Sequence, residues 1–342
     1  MIHKLKCRQL LLKNVIMRER NNSTNHRNLI QSCRLLVLIL VLNGCNNQTS
    51  QTKNLPSEPY IYVLGIAQDA GYPQAGVSSE FKLVEEGERQ KQHTVSLLLV
   101  DPNNEKRYLF EATPDFREQL EMADKVSEAS NYPYDGIFLT HAHIGHYVGL
   151  MHMGFEAMGT NKVVVHAMPR MRGYLATNGP WSQLVNFENI QLASLFDSAT
   201  VSLNHGIQVM PFTVPHRDEY SETVGFKISV NQKRLVFIPD IDKWEKWDVD
   251  IREVVKANDY ILIDASFYAD GELPGRDMSK IPHPFTSESM ELFKDLSARD
   301  KSKVIFIHAN HSNPILDPNS KEYKEVFNQG FSVAKEGQII KF

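Results

Sequence analysis

Residues 136–149, Gly-Ile-Phe-Leu-Thr-His-Ala-His-Ile-Gly-His-Tyr-Val-Gly, constrain this chain more than any other stretch. The run opens with a short apolar segment, 136–139, that reads as a buried strand. His141, His143 and His146 follow within six positions. Beyond them, apolar residues three and four apart predict a helix over 147–158. A strand that releases three imidazoles into a turn before a helix converges the rings, while the flanking elements hold them still. Imidazole is a favoured ligand of zinc and related ions, so the spacing points to a metal site. Three solvated loop histidines would leave the strand–turn–helix context without a reason.

Composition narrows the ligand types. The 342 residues contain three cysteines, Cys7, Cys33 and Cys45, all near the start. Any metal in the rest of the chain must therefore be held by His, Asp or Glu. Charge is uneven as well. Residues 1–45 carry eight Lys and Arg against Glu19, a net +7, which leaves the remainder at −11 of the overall −4. A body this acidic repels polyanions, which argues against a nucleic-acid partner.

The start of the chain predicts export. A basic region ends at Arg34, and 35–42 is an apolar run far short of the ~20 residues a membrane span needs. Leu42-Asn-Gly-Cys45 follows, which resembles the lipobox of bacterial lipoproteins. Residues 1–45 are thus expected to be a lipoprotein-type signal, with Met17 an alternative start. The mature protein would meet the cell envelope through a lipid on Cys45. Residues 46–58 are polar and read as a flexible tether, and 59–342 as one domain.

Within that domain, 60–64 predicts a strand, followed by a turn-rich loop over 65–74. Hairpins are expected from 93–100 with 107–111 and from 223–230 with 234–238. Helices are predicted over 115–128, 248–257 and 287–297, and further strands over 163–165, 208–214, 260–264 and 303–307. Met151, Met153 and Met158 read as core filler on the helix after the histidines. Residues 168–186 read as a cap or lid, with Trp181 a candidate pocket residue. Strand-rich segments interleaved with helices predict an α/β (α+β) protein with two sheets face to face and helices outside. Several strands end in a potential ligand: 139 before His141, 214 before His216, 238 before Asp240 and 307 before His308.

This order of motifs resembles the metallo-β-lactamase superfamily over residues 58–342. Within it, Tyr62-Val-Leu-Gly-Ile-Ala-Gln-Asp-Ala-Gly-Tyr-Pro-Gln74, Glu111-Ala-Thr-Pro-Asp-Phe-Arg-Glu-Gln-Leu120 and His308-Ala-Asn-His-Ser-Asn-Pro314 are similar to the coenzyme PQQ synthesis protein B family and its metallo-hydrolase relatives. The resemblance implies an αββα sandwich. It implies that His141, His143 and His216 hold a first metal, that His146 and His308 help hold a second, and that Asp240 bridges them. Glu111 falls at a supporting acid. Asp264 with His283 resembles the proton-transfer pair of the tRNA 3′-processing branch, and His311 is a further candidate for that role. Gly145 stands where the superfamily has an aspartate ligand. The second site is therefore expected to be weak or empty unless His311, His283 or Asp69 fills in. Val77-Ser78-Ser79 replaces the cysteines that bind a structural zinc in relatives.

The function implied is a metallo-hydrolase that uses a metal-bound hydroxide on a small ester, lactone or phosphodiester. One or two divalent ions are expected, zinc first, with iron or manganese as alternatives. A PQQ-synthesis-protein-B-like, iron-dependent oxidative enzyme is the second reading. A lipid-tethered metal or small-ligand binding protein without turnover is the third. The sequence leaves oligomeric state open.

Overall fold

The apolar runs at 60–65 and 96–101 are buried at every position, which marks strands covered on both faces. The computed structural model describes residues 55–204 and 206–342. Sheet one takes β1 (Tyr60–Gly65), β2 (Ser96–Asp101), β3 (Lys106–Phe110), β4 (Gly136–Phe138), β5 (Val163–Ala167) and β6 (Ile190–Ser194). Sheet two takes β7 (Val201–Asn204), β8 (Ile207–Thr213), β9 (Val224–Val230), β10 (Lys233–Ile238), β11 (Tyr260–Asp264), β12 (Val304–Ile307) and β13 (Ser332–Val333). The last strand, β14 (Ile339–Lys341), returns to pair antiparallel with β1 in sheet one.

Side-chain alternation sorts each strand between two cores. In β1, Ile61 and Val63 join the core shared with sheet two, while Tyr60, Tyr62 and Leu64 face the outer helices. Leu97 and Leu99 divide from Leu98 and Val100 in the same way. Phe226 of β9 meets Phe110 and Phe138 edge-on at 5.4 and 5.7 Å, joining the sheets through one aromatic cluster. Truncating such a ring to alanine costs about 3–5 kcal/mol. Outside sheet one lie Phe116–Asp124, Pro169–Thr177 and Trp181–Asn186. Residues of Ile251–Ala257, Thr286–Leu292 and Lys321–Asn328 complete the other core. The result is the expected αββα sandwich, and both predicted hairpins are antiparallel pairs.

Several local expectations are corrected. The histidine stretch does not open a long helix. One α-turn, Ile144–Tyr147, passes into a 3-10 segment, Val148–Met153. Gly149 is why the chain can pack there, since a Cβ at that position would lie 2.3 Å from the Thr113 carbonyl oxygen. Met153 is core, but Met151 is exposed, so the apolar period overstated the helix. The helix predicted over 115–128 ends at Asp124. The one predicted over 248–257 begins at Ile251, where Asp250 accepts a bond from the Arg252 N–H. The helix predicted over 287–297 is Thr286–Leu292. Residues 168–186 form two helices on the outer face, and Trp181 packs 5.2 Å from the Tyr147 ring while lining an outer pocket with Met151 and His152, which none of the candidate metal ligands reaches. The helix Ser78–Glu85 and strands β6, β7, β13 and β14 had no clear sequence signal. The signal, Cys45 and most of the tether lie outside the described residues. Among the described residues, no helix is long and apolar enough to cross a membrane.

Candidate metal centre

Strand ends build the site. In sheet two, β10, β11 and β12 run parallel, so Asp240, Asp264 and His308 leave their carboxyl ends on one edge. In sheet one, β3 and β4 are parallel and deliver Glu111 and His141. Backbone bonds tie the two edges together. Gln68 N–H donates to Ala309 O at 2.9 Å, and Val224 N–H donates to Thr140 O at 3.2 Å. His143 occupies the N-cap position of the α-turn, and His146 lies inside it.

The donors converge on Asp240, which is almost fully buried. His141 Nε2 lies 3.3 Å from Asp240 Oδ2, and His216 Nε2 lies 3.3 Å from Oδ1. His143 completes this first group, its Nδ1 2.8 Å from His141 Nε2. A second group contains His146, His308, Asp240 and Asp69. His146 Nε2 is 3.4 Å from Asp240 Oδ2 and 3.2 Å from Asp69 Oδ1. His308 Nε2 is 3.9 Å from Asp240 Oδ2 and 3.7 Å from Asp69 Oδ1. The second group thus has four donors, one more than Gly145 alone implies.

Buried polar atoms ordinarily find hydrogen-bond partners, and leaving one unmatched costs about 1–3 kcal/mol. Here His146 Nε2, both His216 nitrogens, His308 Nε2, Asp69 Oδ1 and Asp240 Oδ1 have none among the described residues. They crowd together without bonding. A tetrahedral ion with ligands near 2.0–2.1 Å sets those ligands ~3.3 Å apart, which matches most of these spacings. The donor set fits a divalent cation.

The supporting residues fix the rings. Glu111 is completely buried, accepts from Thr140 N–H at 3.0 Å and holds His146 Nδ1 at 3.0 Å. It adopts a left-handed φ of 74°, and His308 one of 66°. Such backbone is uncommon for residues other than glycine and persists only where the surroundings enforce it. Asp264 accepts from Ser266 N–H and Oγ, each at 2.8 Å, and from Ile241 N–H at 3.2 Å. It also pairs with His283 Nδ1 at 2.7 Å. The expected Asp264–His283 pair is therefore present. Ser266 lies 3.1 Å from Nδ1 of both His283 and His308. It was not singled out from sequence, although it follows β11 directly.

Charge follows this geometry. Burial opposes ionisation of Asp240, but His216, His308 and His283 outweigh it and hold the carboxyl well below its usual range. Burial pushes His141, His143 and His216 down, toward the neutral, ligating form. His146 is raised well above its usual value, because the neighbouring carboxylates of Asp240, Asp69 and Glu111 outweigh burial. His308 is raised to about 9 against burial, chiefly by the Asp240 charge. Protons on these two rings would compete with a cation for the same nitrogens. Burial opposes charge on His283 as well, yet Asp264 and Asp240 raise it above its usual value.

His311 is not brought into any of these groups. Its Nδ1 lies 2.7 Å from Glu80 Oε1 of the Ser78–Glu85 helix, where it braces the loop. Glu219 sits 3.3 Å from His143 Nε2. A cleft of ≈ 640 Å³ adjoins the site, and its wall includes Asp69, His283, Arg217, Arg276 and Lys280. The three cations were not legible as a cluster.

A sandwich whose strand ends gather two histidine-rich donor groups around one shared aspartate defines a divalent-metal-binding αββα protein. Residues 106–309 match the beta-lactamase superfamily domain, and the chain belongs to the metallo-β-lactamase superfamily. Within it the chain is PqqB-like. It is 25% identical over 309 residues to coenzyme PQQ synthesis protein B of Xanthomonas euvesicatoria, covering 82% of this chain and 99% of that protein. Zn(2+)-bound PqqB from Methylobacterium extorquens superposes with a TM-score of 0.70 at 21% identity, over 83% of this chain and 100% of the other. A diphosphatase from the PhnP family superposes with a TM-score of 0.58 at 19% identity, over 83% and 97%. These structural likenesses establish the fold.

Proposed function

We propose that this protein is a metal-dependent hydrolase of small anionic esters, a phosphodiester being the class its cleft suits best. One observation carries the reading. Buried, unbonded imidazole nitrogens surround Asp240 beside a cleft whose wall includes Arg217, Arg276 and Lys280. Asp69 and Asp277 share that wall, Lys280 pairs with Asp277 at 3.1 Å and Arg217 lies 3.9 Å from Glu219, so Arg276, left unpaired among the described residues, is what favours a negatively charged substrate over a neutral ester or lactone. The volume suits a small molecule.

His141, His143, His216 and Asp240 would hold one ion, and His146, His308 and Asp240 would contribute to a second. The chemistry such an ion would supply is a lowered pKa for water, toward ~7, and polarisation of the phosphoryl oxygen. The chain's own proton chemistry lies with His283. Asp264 holds its Nδ1 edge, which leaves Nε2 as the nitrogen that can pass a proton toward the cleft. Water adds to phosphorus, the ester P–O bond breaks, and the departing oxygen takes the proton from His283 Nε2. A raised His283 pKa suits that acid role near neutral pH.

The test compares zinc-loaded protein on bis(p-nitrophenyl) phosphate and on p-nitrophenyl acetate. Preferential turnover of the phosphodiester supports the reading. Preference for the acetate ester sinks the substrate class, and no turnover of either leaves a metal- or ligand-binding protein. The extended similarity to PQQ synthesis protein B favours a second reading, an oxidative enzyme. Oxygen consumption by the iron-loaded protein, with no hydrolysis, would select it. The lipobox-like end at Cys45 supports a hydrolase exported and anchored to the cell envelope, which mass spectrometry of the mature N-terminus would test.

A further inference from the structure

We infer that the carboxylate ligand missing at Gly145 has moved to Asp69, on the loop after β1, and that Asp69 completes a second metal site with His146, His308 and Asp240. The inference rests on the metal-centre reading and adds a ligand to it.

Three independent features of the chain converge on it. The first is steric. A Cβ at position 145 would lie 2.5 Å from Asp69 Cα, 2.8 Å from its carbonyl oxygen and 2.9 Å from its Cβ. Two of these are backbone atoms, which cannot step aside as a flexible side-chain end can. An aspartate at 145 and this course of the loop exclude each other. Gly145 is therefore the opening through which Asp69 reaches the site.

The second is the state of the donor atoms. Asp69 Oδ1 is buried although the side chain as a whole is partly exposed. It lies 3.2 Å from His146 Nε2 and 3.7 Å from His308 Nε2, and all three atoms lack a hydrogen-bond partner among the described residues. A carboxylate aimed at two imidazole nitrogens without bonding either is placed for a shared cation.

The third is the backbone. Asp69 holds a φ of 25°, left-handed for a residue with a side chain. Its neighbours are pinned on both sides. Gln68 N–H donates to Ala309 O at 2.9 Å, and Gly71 N–H donates to Gln68 O at 3.0 Å. The first of these bonds ties the Asp69 loop to the residue next to His308. Non-glycine residues keep such conformations where the surroundings enforce them, and these cluster at functional sites.

A consequence follows for the cleft. Gln68, Asp69, Ala70 and Gln74 of the same loop form part of its wall. A ligand on this loop ties the substrate wall to the ion, whereas a ligand at 145 would leave the loop free of it. Filling the second site should then protect the amides of 66–74 from exchange.

The experiment uses the full chain, stripped with a chelator, reloaded with zinc and desalted. Zinc per chain is read by elemental analysis and amide exchange by mass spectrometry. Wild type should hold about two ions and Asp69→Ala about one. Protection of 66–74 should appear in wild type and be absent in Asp69→Ala. Chelated variants that melt within a few degrees of chelated wild type show that the fold is intact. Two ions in both wild type and Asp69→Ala would overturn the relocation and leave the metal centre standing. So would a single ion in wild type. No zinc in wild type would remove the metal centre and the relocation together.

Discussion

Glu111→Gln isolates the role of a buried carboxylate that touches no metal. Glu111 is completely buried between two donors, Thr140 N–H at 3.0 Å and His146 Nδ1 at 3.0 Å. As a carboxylate it accepts from both, which keeps the proton on Nδ1 and frees Nε2 as the ligating nitrogen. Glutamine has the same size but one acceptor. If its oxygen stays on Thr140, its NH2 faces Nδ1, and the ring must move its proton to Nε2, the atom the ion needs. If the amide turns over, two donors meet at Thr140, at about 1–3 kcal/mol for a buried unmatched group. Loss of such a support lowers metal affinity roughly 10–100-fold, or about 1.4–2.7 kcal/mol. The His146 ion should be released at correspondingly lower chelator concentration, followed by competition titration or by the visible bands of the cobalt form. The ion on His141, His143 and His216 should change little, because Glu111 touches none of those rings. Unchanged affinity at both steps would refute the argument.

Other perturbations separate the remaining roles. His143→Ala should remove the first ion and turnover together, and activity retained in that protein would displace the site. His283→Gln should lower kcat roughly 10²–10⁴-fold with metal content unchanged; loss of metal instead would make His283 a ligand. Arg276 has no carboxylate within ion-pairing distance among the described residues and lies in the cleft wall. Arg276→Glu should raise KM for bis(p-nitrophenyl) phosphate roughly five- to tenfold, about 1–1.4 kcal/mol, at constant kcat. An equal rise for a neutral ester would contradict the electrostatic reading. Away from the site, His93 Nδ1 pairs with Glu336 at 2.9 Å, which raises its pKa despite burial. The unfolded pKa is ~6.5, so this stabilisation is fully present below that pH and fades as pH rises through the folded value. Denaturant midpoints should show a decline on the order of 1 kcal/mol that His93→Asn flattens.

The site was more legible than the frame around it. His141, His143, His146, His216, Asp240 and His308 each follow a strand or its turn, so an apolar run and a donor residue mark them in one dimension. The Asp264–His283 pair was readable through the family resemblance alone, since Asp264 closes β11 but His283 lies 19 residues further on. What sequence hid is tertiary. Nothing near Asp69 tells that its backbone passes under Gly145, and an aspartate in a turn-rich loop is ordinary. His311 looked equivalent to His308, but only the latter leaves β12 toward Asp240, while His311 turns to Glu80. The helix predicted after the histidines failed because Gly149 serves close packing against Thr113, a contact invisible to periodicity. Strands β6, β7, β13 and β14 are short or half-exposed, and neighbours decide their pairing.

The most direct test of a metal-dependent hydrolase centred on Asp240 is to titrate zinc into the stripped full chain while following bis(p-nitrophenyl) phosphate hydrolysis and bound metal in the same samples. The account predicts that turnover rises with occupancy, saturates when the donor groups are filled, and vanishes in His143→Ala. Hydrolysis that persists in the stripped protein, or that stays absent when the metal is fully bound, would contradict it.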